Sequence, residues 1–392
     1  MQPNRVLPLL LGLIIVSATA WGQPVYQQRL DSLQKELIPD LRTAVFQVSV
    51  LERPDGSLLL RGETDTPEVL TLFAEEMQRT GIAVADSVVR LPDPLLPAPW
   101  GLVCLSVINM RAEPRYTAEM VSQALMGTPV QILKKRGGWL LIQTPDRYLG
   151  WVDNDGVFLL KAGQLAQWQK ADRRMVTEVL TLVRQSPSLQ AAVISDLVLG
   201  NLVVAVACKG RWTEIELPDQ RKGYVETRTI SRFSIFSNQQ PDAGKIVETA
   251  ASMTGFPYLW GGTSVKGVDC SGMVKIAFFM NGLIIPRDAS QQAQVAPLPD
   301  TTGWRSFRPG DLLFFGPSPD RIIHVGLYAG NGRYVHASGK VKWNSTDPSA
   351  PDYLHEQNKN LVKVSRYLAN LPSAGVVPVK NHPWYFDLSQ NQ

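Results

Sequence analysis

An internal repeat limits how this chain can fold more than any other feature. Residues of a first copy recur 73 positions later in a second copy, with no insertion or deletion, from Arg111 and Arg184 onward. Each copy consists of short alternating segments and closes on a similar tripeptide, "GWV" in one and "GYV" in the other. Two adjacent copies of this kind predict two small β-barrels. The matched pairs include Pro114 and Pro187, Ser122 and Ser195, Gly127 and Gly200, Trp139 and Trp212, and Gly150 and Gly223.

The two copies differ at two positions whose side chains could take part in chemistry. Glu113 and Tyr148 of the first copy are replaced by Ser186 and Arg221 in the second. Judged from the residues alone, ordinary variation of a protein surface is enough to explain both differences.

The N-terminus has the pattern of a secretory signal peptide. Arg5 supplies a positive charge, and the apolar run from Val6 to Val16 that follows is too short to span a bilayer comfortably. Small residues then offer cleavage after Ala20 or Gly22. We therefore predict that residues 1–22 are a leader and that the mature protein is exported, either periplasmic or secreted.

The remaining segments predict a multidomain α+β protein. Residues 23–98 alternate helical and strand patterns and end in the Pro-rich stretch "LPDPLLPAP", which predicts a small α+β module and a linker. The two barrels occupy 99–160 and 161–236, and a linker helix is expected from about Leu165 to Leu180. Residues 237–392 hold all four histidines and predict one helix packed on an antiparallel sheet.

Composition excludes some classes of partner. The chain of 392 residues is 44% hydrophobic and 19% charged, as expected of folded domains, and its net charge is only +4. Since basic residues form no cluster, we expect no nucleic-acid partner. No later apolar run approaches the length of a membrane span, so we expect no membrane contact after the leader is removed.

Cys270 is the candidate of greatest chemical interest. Cys104 and Cys208 lie in apolar, strand-like runs and are expected to be buried in the barrel cores. Cys270 lies in "GVDCSG", and Val274 and Ala277 follow at helical spacing, which places the thiol at a helix start. The N–H groups and dipole there favour the thiolate, the nucleophilic form. A buried structural cysteine, an interdomain disulfide or a three-ligand zinc site with two histidines stay open at this point.

Two histidines in a predicted hairpin could supply the base that a nucleophilic cysteine needs. Gly330, Asn331 and Gly332 mark the turn between them. A three-residue loop, pairing Ala329 with Arg333, would put His324 and His336 on one face, one diagonal step apart. A loop of two or four residues would put them on opposite faces.

Several motifs in order give the C-terminal segment a resemblance to a known family. "FPYLWGGTSVKGVDCSGMV", "IPRDASQQA", "RPGDLLFF" and "HVGLYAGNGRYVHASG" resemble the NlpC-type (NlpC/P60) cell-wall cysteine peptidases, which have a papain-like fold. The two barrels resemble the bacterial SH3-like domains of one subgroup, the γ-D-glutamyl-L-diamino acid endopeptidases.

The resemblance implies a role for each of ten residues. Cys270 would be the nucleophile, His324 the base and His336 the residue that orients it, while Tyr258 and the backbone N–H of Cys270 would hold the oxyanion. The implied substrate-binding residues are Glu113, Tyr148, Trp260, Asp269, Ser271 and Asp288. Glu113, Tyr148 and Asp288 would bind the free amine of an N-terminal L-alanine, which gives the differences between the repeat copies a reason.

The implied activity is hydrolysis of the γ-D-glutamyl–diamino acid bond of peptidoglycan stem peptides. Stem peptides are the expected partner, no cofactor or metal is expected, and the protein is expected to be a monomer. Two other hypotheses are kept: a catalytically silent wall-binding protein, and an amidase or acyltransferase on the same papain-like fold.

Overall fold

A computed structural model describes residues 25–298, 303–369, 371, 373 and 375–388. The predicted leader lies outside the described residues. Contacts divide the chain into two compact units, one formed by residues up to 39 together with 46–88, and the other by residues 40–45 together with 89 onward. In the described part, no helix is both long and apolar enough to cross a membrane.

The first unit is the small α+β module that the sequence predicts. It holds α1 (Val25–Leu37), β1 (Phe46–Glu52), β2 (Leu58–Thr64), α2 (Glu68–Arg79) and the start of β3 (Val84–Arg90), with sheet order β1-β2-β3. Leu30 of α1 and Phe73 of α2 are fully buried, because each helix turns one apolar face inward.

The second unit begins with a seven-stranded sheet in the order β10-β4-β7-β8-β9-β5-β6. Val130, Ile132, Ile142 and Val152 fill its core. Its strands are β4 (Trp100–Val103), β5 (Val107–Arg111), β6 (Met120–Leu125), β7 (Pro129–Arg136), β8 (Trp139–Gln143), β9 (Leu149–Asp153) and β10 (Val157–Leu159).

A second sheet repeats the first strand for strand, with every start displaced by 73 residues, as from Trp100 in β4 to Arg173 in β11. Its strands are β11 (Arg173–Val176), β12 (Leu180–Arg184), β13 (Val193–Val198), β14 (Leu202–Lys209), β15 (Trp212–Glu216), β16 (Lys222–Glu226) and β17 (Ile230–Arg232). The order β17-β11-β14-β15-β16-β12-β13 matches the first sheet, so the internal repeat is confirmed as two copies of one barrel.

The linker helix is shorter than predicted. The helix α3 spans only Gln164–Lys170, and the residues expected to continue it form β11 and begin β12. The repeat explains the difference, since β11 takes the place that β4 has in the first barrel and this backbone is needed for the ladder.

The C-terminal segment packs one helix on a five-stranded antiparallel sheet, as predicted. The sheet order is β24-β23-β22-β21-β25, and α6 lies on β22 and β23 with Met273, Val274 and Ala277 fully buried. The elements are α4 (Phe233–Asn238), α5 (Ala243–Ser252), β18 (Thr263–Ser264), β19 (Gly267–Val268), α6 (Cys270–Phe279), β20 (Leu283–Ile284), α7 (Ala289–Gln292), β21 (Leu312–Phe315), β22 (His324–Gly330), β23 (Arg333–Ser338), β24 (Lys340–Ser345), α8 (His355–Asn358), β25 (Leu361–Ser365) and β26 (Val377–Pro378).

The prediction for the two barrel cysteines is half right. All three cysteines are free, and Cys104 is buried, but Cys208 is exposed. A bulge in β14 between Ala205 and Ala207 shifts the strand's register, and Cys208 lies near the strand's end beyond it. The repeat carried a signal for this, since the residue that matches Cys208 in the first barrel is Lys135, which is also exposed.

Candidate active site

Cys270 begins α6, as the sequence predicts, in a pocket of hydrogen-bond donors. Asp269 caps the helix by accepting a bond from the backbone N–H of Gly272 at 2.7 Å. The backbone N–H groups of Val325 and Ser271 are directed at the sulfur of Cys270. Val325 directly follows His324, so this contact brings the start of β22 to the thiol.

The resting state of the thiol differs from the expectation for a helix start. Burial, with a further contribution from the negative charge of Asp269, raises the pKa of the Cys270 thiol to about 12. The N–H groups and the cation of Arg287 act in the opposite direction but are outweighed. Near neutral pH, Cys270 therefore rests as the thiol, and the thiolate forms only when a base takes the proton.

The two histidines form a hydrogen-bonded relay. Nε2 of His324 lies 2.7 Å from Nδ1 of His336, and Nε2 of His336 lies 2.8 Å from Oδ1 of Asn344. Since Oδ1 of Asn344 can only accept, His336 donates from Nε2 and accepts at Nδ1. His324 then donates from Nε2, which leaves its Nδ1 with a free lone pair, as a general base requires.

Burial keeps both imidazoles neutral. It lowers the pKa of His324 to about 3, with a further contribution from His336, and it lowers the pKa of His336 to about 4 even though the bond to Asn344 acts the other way. A second donor, Nε2 of Gln357, lies 3.2 Å from Nδ1 of His336. The relay is thus a neutral base held by three polar side chains, two of which, Asn344 and Gln357, sequence reasoning missed.

A bulge decides which face the histidines share. The turn is the two-residue Asn331-Gly332, and Gly330 pairs with Arg333, so the expected pairing of Ala329 with Arg333 is wrong. Ala329 instead is an extra residue in β22, which restores the parity that a two-residue turn would break. His336 lies opposite Gly326, one diagonal step from His324, and the shared face is confirmed.

A cleft of about 400 Å³ opens above Cys270. Of the predicted site residues it brings together Cys270 with Tyr148, Tyr258, Trp260, Asp269, Ser271 and Asp288. Burial raises the pKa of the Tyr258 hydroxyl, with further contributions from Cys270 and Asp269, so this phenol stays a proton donor at neutral pH. The hydroxyl of Tyr148 donates to Oδ2 of Asp288 at 3.0 Å.

A buried guanidinium organises the floor of the cleft. Arg287, 1% exposed, donates to both carboxylate oxygens of Asp269 and to Oγ of Ser271 at 2.9 Å. Its Nε donates to Oγ of Ser122 in the first barrel at 3.0 Å. Asp269 and Ser271 are therefore held in place by Arg287, whose role no motif in the sequence indicated.

Glu113 does not lie where the sequence analysis put it. Its exposed carboxylate is paired with Arg115 at 2.9 Å and does not line the cleft. Glu119 lines the cleft instead and accepts a bond from Nε1 of Trp260 at 2.7 Å. The repeat held the signal, because the residue that matches Glu119 in the second copy is Ala192, so this carboxylate too is confined to the first barrel.

Comparison with known proteins agrees with this geometry. The sequence model of the NlpC/P60 family matches residues 255–364, and that of the bacterial dipeptidyl-peptidase Sh3 domain matches residues 110–157. The chain is 34% identical over 262 residues to dipeptidyl-peptidase 6 of Lysinibacillus sphaericus, covering 64% of this chain and 93% of that protein. The chain belongs to the NlpC/P60 family. The NlpC/P60 relative γ-D-glutamyl-L-lysine dipeptidyl-peptidase of Bacillus subtilis is 30% identical over 240 residues, covering 55% of this chain and 71% of that protein.

Solved structures of NlpC/P60 proteins share the fold. A family member from Bacillus cereus superposes with a TM-score of 0.58 at 20% identity, covering 69% of this chain and 99% of that chain. An NlpC/P60 endopeptidase from Photobacterium damselae gives 0.55 at 15% identity, covering 88% and 84%. The predicted multidomain α+β fold, with SH3-like barrels before a papain-like domain, is confirmed, and the NlpC/P60 family consists of peptidoglycan hydrolases, generally cysteine peptidases.

Among the residues that the structure describes, no group of three or more His, Cys, Asp or Glu side chains is arranged to hold a metal ion. The neighbours of Cys270 are instead the donors and the relay that covalent catalysis by a thiol uses.

Proposed function

We propose that this NlpC/P60 protein is an exported cysteine endopeptidase that hydrolyses the γ-D-glutamyl–diamino acid bond of stem peptides with a free N-terminal L-alanine. The observation that carries the proposal is the relay of His324 and His336, 2.7 Å apart, beside a buried Cys270 at the foot of a cleft. Export rests on the leader pattern of residues 1–22.

In the proposed reaction the thiol is activated during the attack. Nδ1 of His324 takes the proton of Cys270 as the sulfur attacks the γ-carbonyl carbon of D-glutamate. The carbonyl oxygen becomes an oxyanion, held by the backbone N–H of Cys270 and the hydroxyl of Tyr258. His324 returns the proton to the leaving amine, and water then hydrolyses the thioester with the same base.

The charges of the cleft support recognition of an ammonium group. Three carboxylates, those of Glu119, Asp269 and Asp288, line the cleft against the two guanidinium groups of Arg42 and Arg287. A buried cation needs paired charge, because an unpaired one is costly. We therefore assign the amine to Asp288, Tyr148 and Glu119, with Glu119 in the place first given to Glu113. The names of the relatives, two of them dipeptidyl-peptidases, agree with release of a dipeptide.

The test is mass spectrometry of the products from L-Ala-γ-D-Glu-diaminopimelate and from its lysine counterpart. We expect the dipeptide L-Ala-γ-D-Glu and the free diamino acid, and little cleavage when the alanine is N-acetylated. Cys270→Ala should abolish turnover while Cys208→Ala, which removes an exposed thiol, should keep it. Equal cleavage of free and acetylated peptide, or an active Cys270→Ala variant, would refute the proposal.

A further inference from the structure

Asp288, the carboxylate proposed to bind the substrate's amine, already bonds a cation of this chain. Nη1 of Arg42 lies 2.7 Å from Oδ2 of Asp288 and 3.0 Å from Oγ of Ser290. The hydroxyl of Tyr148 donates to the same oxygen of Asp288 at 3.0 Å. A guanidinium thus occupies the place where a substrate ammonium would be bound.

The segment that carries Arg42, residues 40–45, is firmly built onto the first barrel. The backbone N–H of Leu149 donates to the carbonyl of Arg42 at 2.9 Å, and Nε2 of Gln143 donates to the carbonyl of Thr43 at 2.8 Å. Val45 is buried in an apolar cluster with Trp151. The position of Arg42 above the cleft therefore follows from a packed backbone.

The rest of the guanidinium is also paired. Nε and Nη2 of Arg42 donate to the two oxygens of Asp40 at 2.8 and 2.7 Å, and Gln291 donates to Asp40 at 2.7 Å. With its donors shared between Asp40 and Asp288, Arg42 has none directed at an anionic ligand. The side chain is 41% exposed, so it can leave Asp288 without disturbing the buried part of the segment.

We propose that Arg42 is a specificity-determining residue that competes with the substrate's amino group for Asp288. This inference rests on the proposed function and adds a component to it. A peptide with a free ammonium group exchanges places with Arg42 at the carboxylate. An acylated peptide has no cation to exchange and meets a closed ion pair.

The experiment compares Arg42→Gln with the wild type on free and N-acetylated L-Ala-γ-D-Glu-diaminopimelate. Removing the competitor should lower KM for the free peptide by roughly two- to fivefold, the size expected of a partly exposed ion pair, with kcat nearly unchanged. Values for the acetylated peptide should not move. Arg211→Gln removes the same charge from an exposed ion pair of the second barrel and should change neither.

A binding measurement separates this inference from the proposed function. In the Cys270→Ala background, Arg42→Gln should tighten the Kd of the free peptide by the same factor and leave that of the acetylated peptide unchanged. An unchanged or weaker Kd for the free peptide, or an equal change for both peptides, would overturn the inference. If the wild type cleaves neither peptide while Kd shifts as expected, the proposed function fails and the inference stands.

Discussion

At the scale of single residues, the catalytic pair rests without charge. Burial raises the pKa of the Cys270 thiol and lowers that of the His324 imidazole, so each group stays neutral near pH 7. The proton must move in the same step that forms the covalent bond, and it moves to Nδ1 of His324, which the relay leaves free.

The neutral pair predicts an unusual acid limb for activity. Because the pKa of His324 is lowered from 6.5 to about 3, the base stays unprotonated through mildly acidic pH. We expect kcat/KM to keep roughly its pH 7 value at about pH 5, measured with the free tripeptide. An acid limb centred near the ordinary histidine value would contradict the buried, neutral relay.

The same groups link stability to pH. The folded pKa of His324 and His336 lies below the unfolded value, so their contribution to stability is complete above about pH 6.5 and is lost as the pH falls towards 4 and 3. Each buried histidine then lowers the free energy of unfolding by up to about 1.4 kcal/mol per pH unit.

Among single residues, those fixed by local pattern were predictable. Cys270 at a helix start follows from a cap, two glycines and helical spacing within a few residues. Arg42 could not be found this way, because its contact with Asp288 joins positions 246 apart in the chain. Glu119 lies between these cases, since comparing the two repeat copies at every position would have shown it.

At the scale of elements, the hairpin of β22 and β23 shows what a loop contributes to catalysis. Asn331 and Gly332 both have positive φ, 51° and 75°, as a tight two-residue turn requires. Such a turn alone would put the two histidines on opposite faces, and the bulge at Ala329 reverses this. Sequence gave a choice between parities, because a bulge changes the register without changing any hydrophobic pattern nearby.

Deleting Ala329 should therefore abolish the relay and keep the hairpin. The expected result is a loss of kcat/KM by roughly 10²- to 10⁴-fold, the contribution of a general base, with the far-ultraviolet circular dichroism unchanged. Asn331→Gly keeps the positive φ and serves as the control, with activity near the wild type. Full activity of the deletion variant would show that the bulge does not set the register.

At the scale of the whole second unit, the first barrel and the C-terminal domain share one buried network. Oγ of Ser122 accepts from Arg287, and Gln123 accepts from the backbone N–H of Thr263 while its carbonyl accepts from Thr263 Oγ1. The sequence predicted two barrels but could not show which one faces the site, since that depends on contacts between distant segments.

The network predicts different costs for two matched serines. Ser122→Ala leaves Nε of the buried Arg287 without its acceptor and should lower the free energy of unfolding by about 1–3 kcal/mol. Ser195, its match in the second barrel, makes the same bond to the following carbonyl but none to an arginine, so Ser195→Ala should cost much less. Urea unfolding of both variants measures the difference, and equal losses would contradict a special role for Ser122.

The constant spacing of the two barrels has a consequence for how the chain has changed over time. Copies that keep every strand start in step, with no residue gained or lost, record a tandem duplication followed by substitution alone. One copy holds Tyr148 and Glu119 at the cleft, while its twin has Arg221 and Ala192 at those positions. Selection on the substrate therefore acts on one descendant of the ancestral barrel and leaves the other free to drift at the same sites.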